Sequence, residues 1–97
     1  MSYQFRILGC GSSGGVPRVG FGWGNCDPMN KKNRRLRCSL LVERTTSSKK
    51  TTVLIDTGPD MREQLLQAKV TNLDAVLYTH SHADHVHGID DLRTLAY

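Results

Sequence analysis

The chain has 97 residues, of which 38% are hydrophobic and 23% charged, and its formal net charge is +4. A chain of this length can build one small domain that buries roughly 60 to 65% of the surface of its unfolded form, but it cannot build two. No apolar run approaches the ~20 residues that cross a bilayer, so we expect a globular domain over residues 1–97 without a membrane partner.

The N-terminus and the cysteines bear on the cellular compartment. The first residues lack the basic region, long apolar stretch and small-residue cleavage site of a secretory signal, which makes a cytoplasmic location the default expectation. The three cysteines, Cys10, Cys26 and Cys38, are far apart and odd in number. This spacing is unlike the disulfide framework of a small secreted domain, so we expect reduced thiols.

Apolar periodicity predicts four strands. Residues 4–8 alternate in polarity and lead directly into glycine, and residues 75–79 form another short apolar strand. Residues 38–43 and 51–56 are typical of buried strands. The polar segment 44–50 between them favours an exposed hairpin connection.

Two helices are predicted to follow the third and fourth strands. Pro59 suits the first position of a helix, Asp60 favours its N-terminus, and Thr71-Asn72 closes it. Its buried face is predicted to carry Met61, Leu65 and Ala68. After Gly88 a second helical pattern aligns Ile89, Leu92 and Ala96. The predicted order is β, long loop, β, β, α, β, histidine loop, α, which is an α/β chain.

Residues 9–30 form a long glycine-rich loop. Its first part, Gly9-Cys10-Gly11-Ser12-Ser13-Gly14, matches the G-x-G-x-x-G pattern of dinucleotide-binding proteins. That pattern requires a helix directly after it, and the following glycines and Pro17 cannot sustain one. The dinucleotide interpretation is therefore set aside. Phe21 and Trp23 are interpreted as loop-anchoring hydrophobes or as part of a lid over a site.

Residues 31–37 carry most of the excess positive charge. The segment KKNRRLR predicts either a solvated loop or a patch that attracts phosphate groups. Together with Phe21 and Trp23 it could form a nucleic-acid surface, but aromatic residues are sparse and the motif of a known binding module is lacking.

All four histidines lie within eight residues, directly after the last predicted strand. His80 and His82 are two positions apart, so in extended chain their side chains emerge on the same side and can meet one ion. Asp84 and His85 then turn toward a neighbouring position. Imidazole and carboxylate are the ligand set of zinc and of similar cations such as manganese or iron. The alternative is a run of polar loop residues, and His87 is either solvated or a supporting residue.

Three segments resemble the metallo-β-lactamase superfamily. "THSHADHVHG" is similar to its H-x-H-x-D-H motif, and "VLIDTGPD" is similar to the strand and turn that precede this motif. "ILGCGSSGGVPR" resembles the first strand and glycine loop of the phosphodiesterase branch of the superfamily.

The resemblance implies the N-terminal half of an αββα sandwich that carries two divalent metal ions, zinc first among the candidates, at one edge. His80 and His82 would bind the first ion, and Asp84 and His85 the second. Asp56 would hold the histidine loop in place without binding metal itself. The alternative is that Asp56 only caps the Thr57-Gly58 turn that follows it. The implied reaction is attack of a metal-activated hydroxide on a phosphodiester, with Asp84 orienting the water or accepting its proton. The implied substrate is a small anionic phosphodiester or a nucleotide-like molecule.

The sequence departs from the family pattern in two respects, and the first leads to an alternative function. The family takes further ligands from a later part of its domain, whereas this chain has no histidine after His87. We therefore expect a truncated domain. The alternative function is a non-catalytic half-domain that binds metal weakly or not at all, or that associates with another copy through an exposed sheet face. A structural zinc site with a cysteine cluster is not expected, because Cys26 alone stands where relatives have that cluster.

Overall fold

The computed structural model describes residues 1–95. In this part of the chain four strands form one sheet in the order β1-β2-β3-β4. The strands are β1 (Ser2–Gly9), β2 (Ser39–Thr45), β3 (Lys50–Ile55) and β4 (Ala75–Leu77). β2 is antiparallel to both β1 and β3, and β4 runs parallel to β3. The four predicted strands and the mixed α and β character are thus confirmed.

Helices connect and follow the strands. The α-helices are α1 (Met61–Gln67) and α2 (Ala83–Val86), and short 3-10 helices cover Lys31–Asn33 and Ile89–Leu95. The second predicted helix is therefore a 3-10 helix, and the expected position of Ala96 lies outside the described residues. The histidine loop contains α2, which the sequence pattern did not predict.

The bounds predicted for α1 were wrong at both ends. The helix begins at Met61 instead of Pro59, and Asp60 is its N-cap residue. The Asp60 side chain makes no capping bond, because its carboxylate accepts a hydrogen bond from the Arg37 N–H at 2.9 Å. It ends at Gln67 instead of near Thr71, because Lys69 adopts a left-handed backbone conformation with φ of 57°. A residue in that conformation turns the chain out of the helix.

The core lies between the sheet and α1. Leu41 and Leu54 are paired across β2 and β3, are fully buried, and pack against Met61 and Leu65 of α1, as the helical spacing predicts. Burial of each such side chain stabilises the fold by about 1.5–3 kcal/mol. Helices therefore cover one face of the sheet.

The opposite face of the sheet is apolar and open, and we call it the open sheet face. Tyr3, Phe5 and Ile7 of β1 are 56%, 66% and 71% exposed there, and Leu77 of β4 is 56% exposed. Strand register places Ile7 in one row with Leu40, Ile55 and Leu77. One sheet with one helical layer corresponds to half of the sandwich that the resemblance implies.

Strand direction brings three candidate site segments to one edge of the sheet. Since β1 and β3 are both antiparallel to β2, the chain leaves β1, β3 and β4 at the same edge. The glycine loop follows β1, Asp56 follows β3 and the histidines follow β4. The thiol of Cys38 donates to the carbonyl of Gly11 at 3.2 Å and ties the glycine loop to the start of β2.

Among residues 1–95, no helix is both long enough and apolar enough to cross a membrane.

Candidate metal centre

Asp56 holds the histidine segment against the end of β3. Its carboxylate accepts hydrogen bonds from the backbone N–H and the hydroxyl of Thr79, both at 2.8 Å, and lies 2.6 Å from Nδ1 of His85. The residue is 3% exposed and has a left-handed backbone with φ of 71°. Asp tolerates this conformation better than most residues, and here it aims the carboxylate across the strand end. The contact expected between Asp56 and the histidine loop is present.

Opposing effects act on the ionisation of Asp56. Burial of the carboxylate favours its neutral form, but hydrogen bonds from His85 and Thr79 favour the charged form and outweigh it. The pKa of Asp56 therefore lies below its ordinary value. In the tautomer of His85 that carries its proton on Nδ1, the ionised Asp56 accepts the hydrogen bond.

The Thr57-Gly58 turn docks α2 onto the sheet. The N–H of Thr57 donates to the carbonyl of His85 at 2.8 Å, and the carbonyl of Thr57 accepts from the N–H of Gly88 at 2.8 Å. The Thr57 hydroxyl also lies 3.0 Å from the hydroxyl of Tyr78. A Cβ atom on Gly58 would lie 2.6 Å from the Asp84 carbonyl oxygen, so only glycine allows this approach. The turn thereby fixes the helix that carries Asp84 and His85.

The four residues predicted as metal ligands converge at this edge. Donor atoms of His80, His82 and Asp84 all lie within 4.8 Å of one another. The His80 ring centroid is 4.6 Å from that of His82 and 4.0 Å from that of His85. Nε2 of His85 lies 3.2 Å from a carboxylate oxygen of Asp84. Ligation by these residues stays a prediction, while their proximity is a property of the fold.

The donor chemistry of this cluster fits a cation. When His85 donates its Nδ1–H to Asp56, its Nε2 keeps a lone pair that faces the Asp84 carboxylate. Two lone-pair groups 3.2 Å apart repel each other unless a proton or a metal ion lies between or beside them. A carboxylate behind a metal-binding histidine is the usual arrangement that orients such a ring. His80, His82, Asp84 and His85 would hold the ion.

The remaining candidates lie outside the cluster. His87 is exposed at the C-terminal end of α2. Cys10 and Cys26 are exposed, and within residues 1–95 no cysteine joins a group of three candidate metal donors.

Sequence reasoning missed the residues that support the cluster. Thr79 bonds to Asp56 and approaches Nδ1 of His80 at 2.8 Å, and Thr57 and Gly88 hold α2. The Thr-Gly pair after β3 and the glycine after the last histidine were visible as turn signals. Their partners could not be read from the sequence, because the contacts join segments about 20 to 30 residues apart.

Comparison with known proteins gives one family and one curated relative. Residues 51–97 match the family model described as the β-lactamase superfamily domain. Over 91 residues the chain is 47% identical to a protein of Porphyromonas gingivalis (strain ATCC BAA-308 / W83) named octanoyltransferase. The match covers 94% of this chain and 18% of that protein.

Two solved structures share the fold. A diphosphatase from the PhnP family is 40% identical, with a TM-score of 0.83, and the match covers 99% of this chain and 36% of that one. Zn²⁺-bound PqqB from Methylobacterium extorquens is 23% identical with a TM-score of 0.63, over 95% of this chain and 36% of that protein, which supports the fold alone. The chain thus spans about a third of the length of these structural relatives. These matches confirm the resemblance seen in the sequence: residues 51–97 are similar to the β-lactamase superfamily domain, and the fold is similar to part of the PhnP-family structure.

Proposed function

We propose that this chain provides the metal-binding part of a metal-dependent hydrolase that cleaves phosphodiester bonds. The convergence of His80, His82, Asp84 and His85 in front of the buried Asp56 carboxylate carries this proposal. The superfamily match and the likeness to a PhnP-family diphosphatase support hydrolysis as the reaction class. Two zinc ions are the proposed occupants, with manganese or iron as alternatives.

A bound divalent cation would lower the pKa of a coordinated water and offset negative charge on the substrate oxygens. The residues of the chain have separate tasks in this scheme. Asp56 orients the His85 ring so that Nε2 faces the cluster. Asp84 has a side chain only 19% exposed, and its carboxylate can orient a water molecule in the cluster or accept its proton.

The proposed substrate is a small anionic phosphodiester or a nucleotide-like molecule. The chain has an excess of positive charge, and the basic segment 31–37 contributes most of it. A positive field raises the local concentration of an anionic substrate.

The test measures hydrolysis of a chromogenic phosphodiester with added zinc or manganese. We expect turnover by the wild type and its loss in His82→Ala, which removes one imidazole from the cluster. His87→Ala is the matched control, because it removes an exposed histidine outside the cluster, and it should keep wild-type turnover. Metal-dependent turnover that survives in His82→Ala would contradict the proposed site.

The open sheet face favours a second candidate function. This apolar surface, with Phe5 and Ile7 more than 60% exposed, suits a non-catalytic half-domain that associates with a second copy and binds metal weakly. The measurement is the molar mass by sedimentation equilibrium for the wild type and Phe5→Glu. A wild-type dimer that Phe5→Glu converts to a monomer, without turnover in either, would favour this candidate over the hydrolase.

A further inference from the structure

A cavity with cationic walls lies beside the end of β1, outside the histidine cluster. Its volume is about 760 Å³, which falls within the range of small-molecule sites. Its walls include Lys31, Arg34 and Arg35, with Ile7 and Leu36 as apolar surface. We call it the cationic cavity.

The cations of this cavity are available to a ligand. Within residues 1–95, Arg37 and Asp60 form an ion pair, but no carboxylate lies within ion-pair distance of Lys31, Arg34 or Arg35. Glu63 is the one acidic residue among those that line the cavity, and its carboxylate accepts a hydrogen bond from Gln67 at 3.4 Å. Three cations against one carboxylate leave the cavity with an excess of positive charge.

The backbone beneath Arg35 is firmly held. The N–H of Arg35 donates to the Val16 carbonyl at 2.8 Å, and the N–H of Val16 donates to the Arg35 carbonyl at 2.9 Å. The guanidinium lies 3.5 Å from the thiol of Cys10 in the glycine loop. The planar fork of a guanidinium is already arranged for the paired hydrogen bonds that a phosphate accepts.

The cationic cavity meets a groove of the candidate metal centre at the end of β1. A second groove, lined by His85, Asp56 and Thr79, reaches the same edge of the sheet. Ile7 and Gly9 line both this groove and the cationic cavity. A ligand with two anionic groups could therefore place one at the histidine cluster and the other among the arginines.

We propose that the cationic cavity is a phosphate-binding site that recognises a second phosphate group of the substrate. This inference rests on the proposed hydrolase function and narrows its substrate class to molecules with more than one phosphate, such as a phosphorylated dinucleotide. A phosphodiester without a second phosphate would use the metal centre alone.

The first arm of the test measures binding without metal or turnover. Protein freed of metal by chelator and dialysis is titrated calorimetrically with inorganic pyrophosphate. The cavity variant combines Arg34→Gln and Arg35→Gln, and the control combines Lys49→Gln and Arg62→Gln, which changes the net charge equally at exposed positions outside the cavity. Loss of charge-assisted hydrogen bonds should weaken binding about ten-fold or more in the cavity variant only. Equal affinities of the cavity variant and the wild type would overturn the proposal.

The second arm measures catalysis. Dithymidine monophosphate with and without a 5′-terminal phosphate is supplied to the metal-loaded wild type and to both variants. We expect the cavity variant to raise KM about ten-fold for the phosphorylated substrate and to leave KM unchanged for the other. An equal rise for both substrates would overturn the role in substrate recognition. Absence of all hydrolysis, with pyrophosphate binding still dependent on the two arginines, would refute the hydrolase and support the anion site.

Discussion

Replacement of Asp56 by asparagine should weaken metal binding through a change in the His85 tautomer. The asparagine oxygen can accept the Thr79 N–H in place of the carboxylate, which now accepts it at 2.8 Å. The new amide NH₂ then faces Nδ1 of His85, where the carboxylate now lies 2.6 Å away. Two donors cannot face each other, so His85 must move its proton to Nε2, which removes the lone pair directed toward Asp84.

The size of the expected loss in zinc affinity follows from the usual effect of removing a carboxylate that supports a metal-binding histidine. We expect zinc affinity to fall about 10- to 100-fold, or about 1.4 to 2.7 kcal/mol. Competition with a chromogenic zinc chelator measures this change. Asp74→Asn is the matched control, because Asp74 also accepts a backbone hydrogen bond, from Thr52 at 2.7 Å, but does so outside the cluster. Unchanged affinity in Asp56→Asn, or an equal loss in Asp74→Asn, would refute the reasoning.

Three further predictions concern stability. The pKa of Asp56 is lower in the folded than in the unfolded chain. Ionised Asp56 therefore adds to the free energy of unfolding, fully above pH ~4, and this addition is lost as the pH falls through the pKa of the folded state. Urea titrations should therefore show a steeper acid loss of unfolding free energy in the wild type than in Asp56→Asn; parallel curves would contradict this. Leu54→Ala should lower the free energy of unfolding by about 2–5 kcal/mol, whereas Leu66→Ala at a 58% exposed position should change it by less than about 1 kcal/mol, and similar costs would disprove the assigned core. Gly88→Ala should lower both the Tm and the zinc affinity, because its Cβ would overlap the carbonyl of Gly58 and displace α2, and a wild-type Tm would contradict that packing.

The sequence patterns predicted the strands, and the proximity of the four candidate ligands, because both are local. Period-two alternation and apolar runs identify β1 to β4, and the spacing of His80, His82, Asp84 and His85 marks them as candidate donors before any fold is known. The direction of the strands then brings Asp56 and the histidines to one edge.

The bounds of α1 and the supporting contacts could not be predicted in this way. Asp60 lies at the N-cap of α1, as local rules favour, but its carboxylate pairs with Arg37, 23 residues away, and does not cap the helix. Lys69 carries no sequence signal for the left-handed conformation that ends α1. The docking of α2 by Thr57 likewise depends on a long-range contact, so local propensity does not report it.

Anomalous diffraction at the zinc absorption edge, from crystals grown or soaked with zinc, tests the central claim most directly. The account predicts a peak among the side chains of His80, His82, Asp84 and His85, about 2.0 to 2.2 Å from their donor atoms. A structure with full density for these side chains and no peak beside them, or a peak bound only elsewhere on the chain, would contradict it.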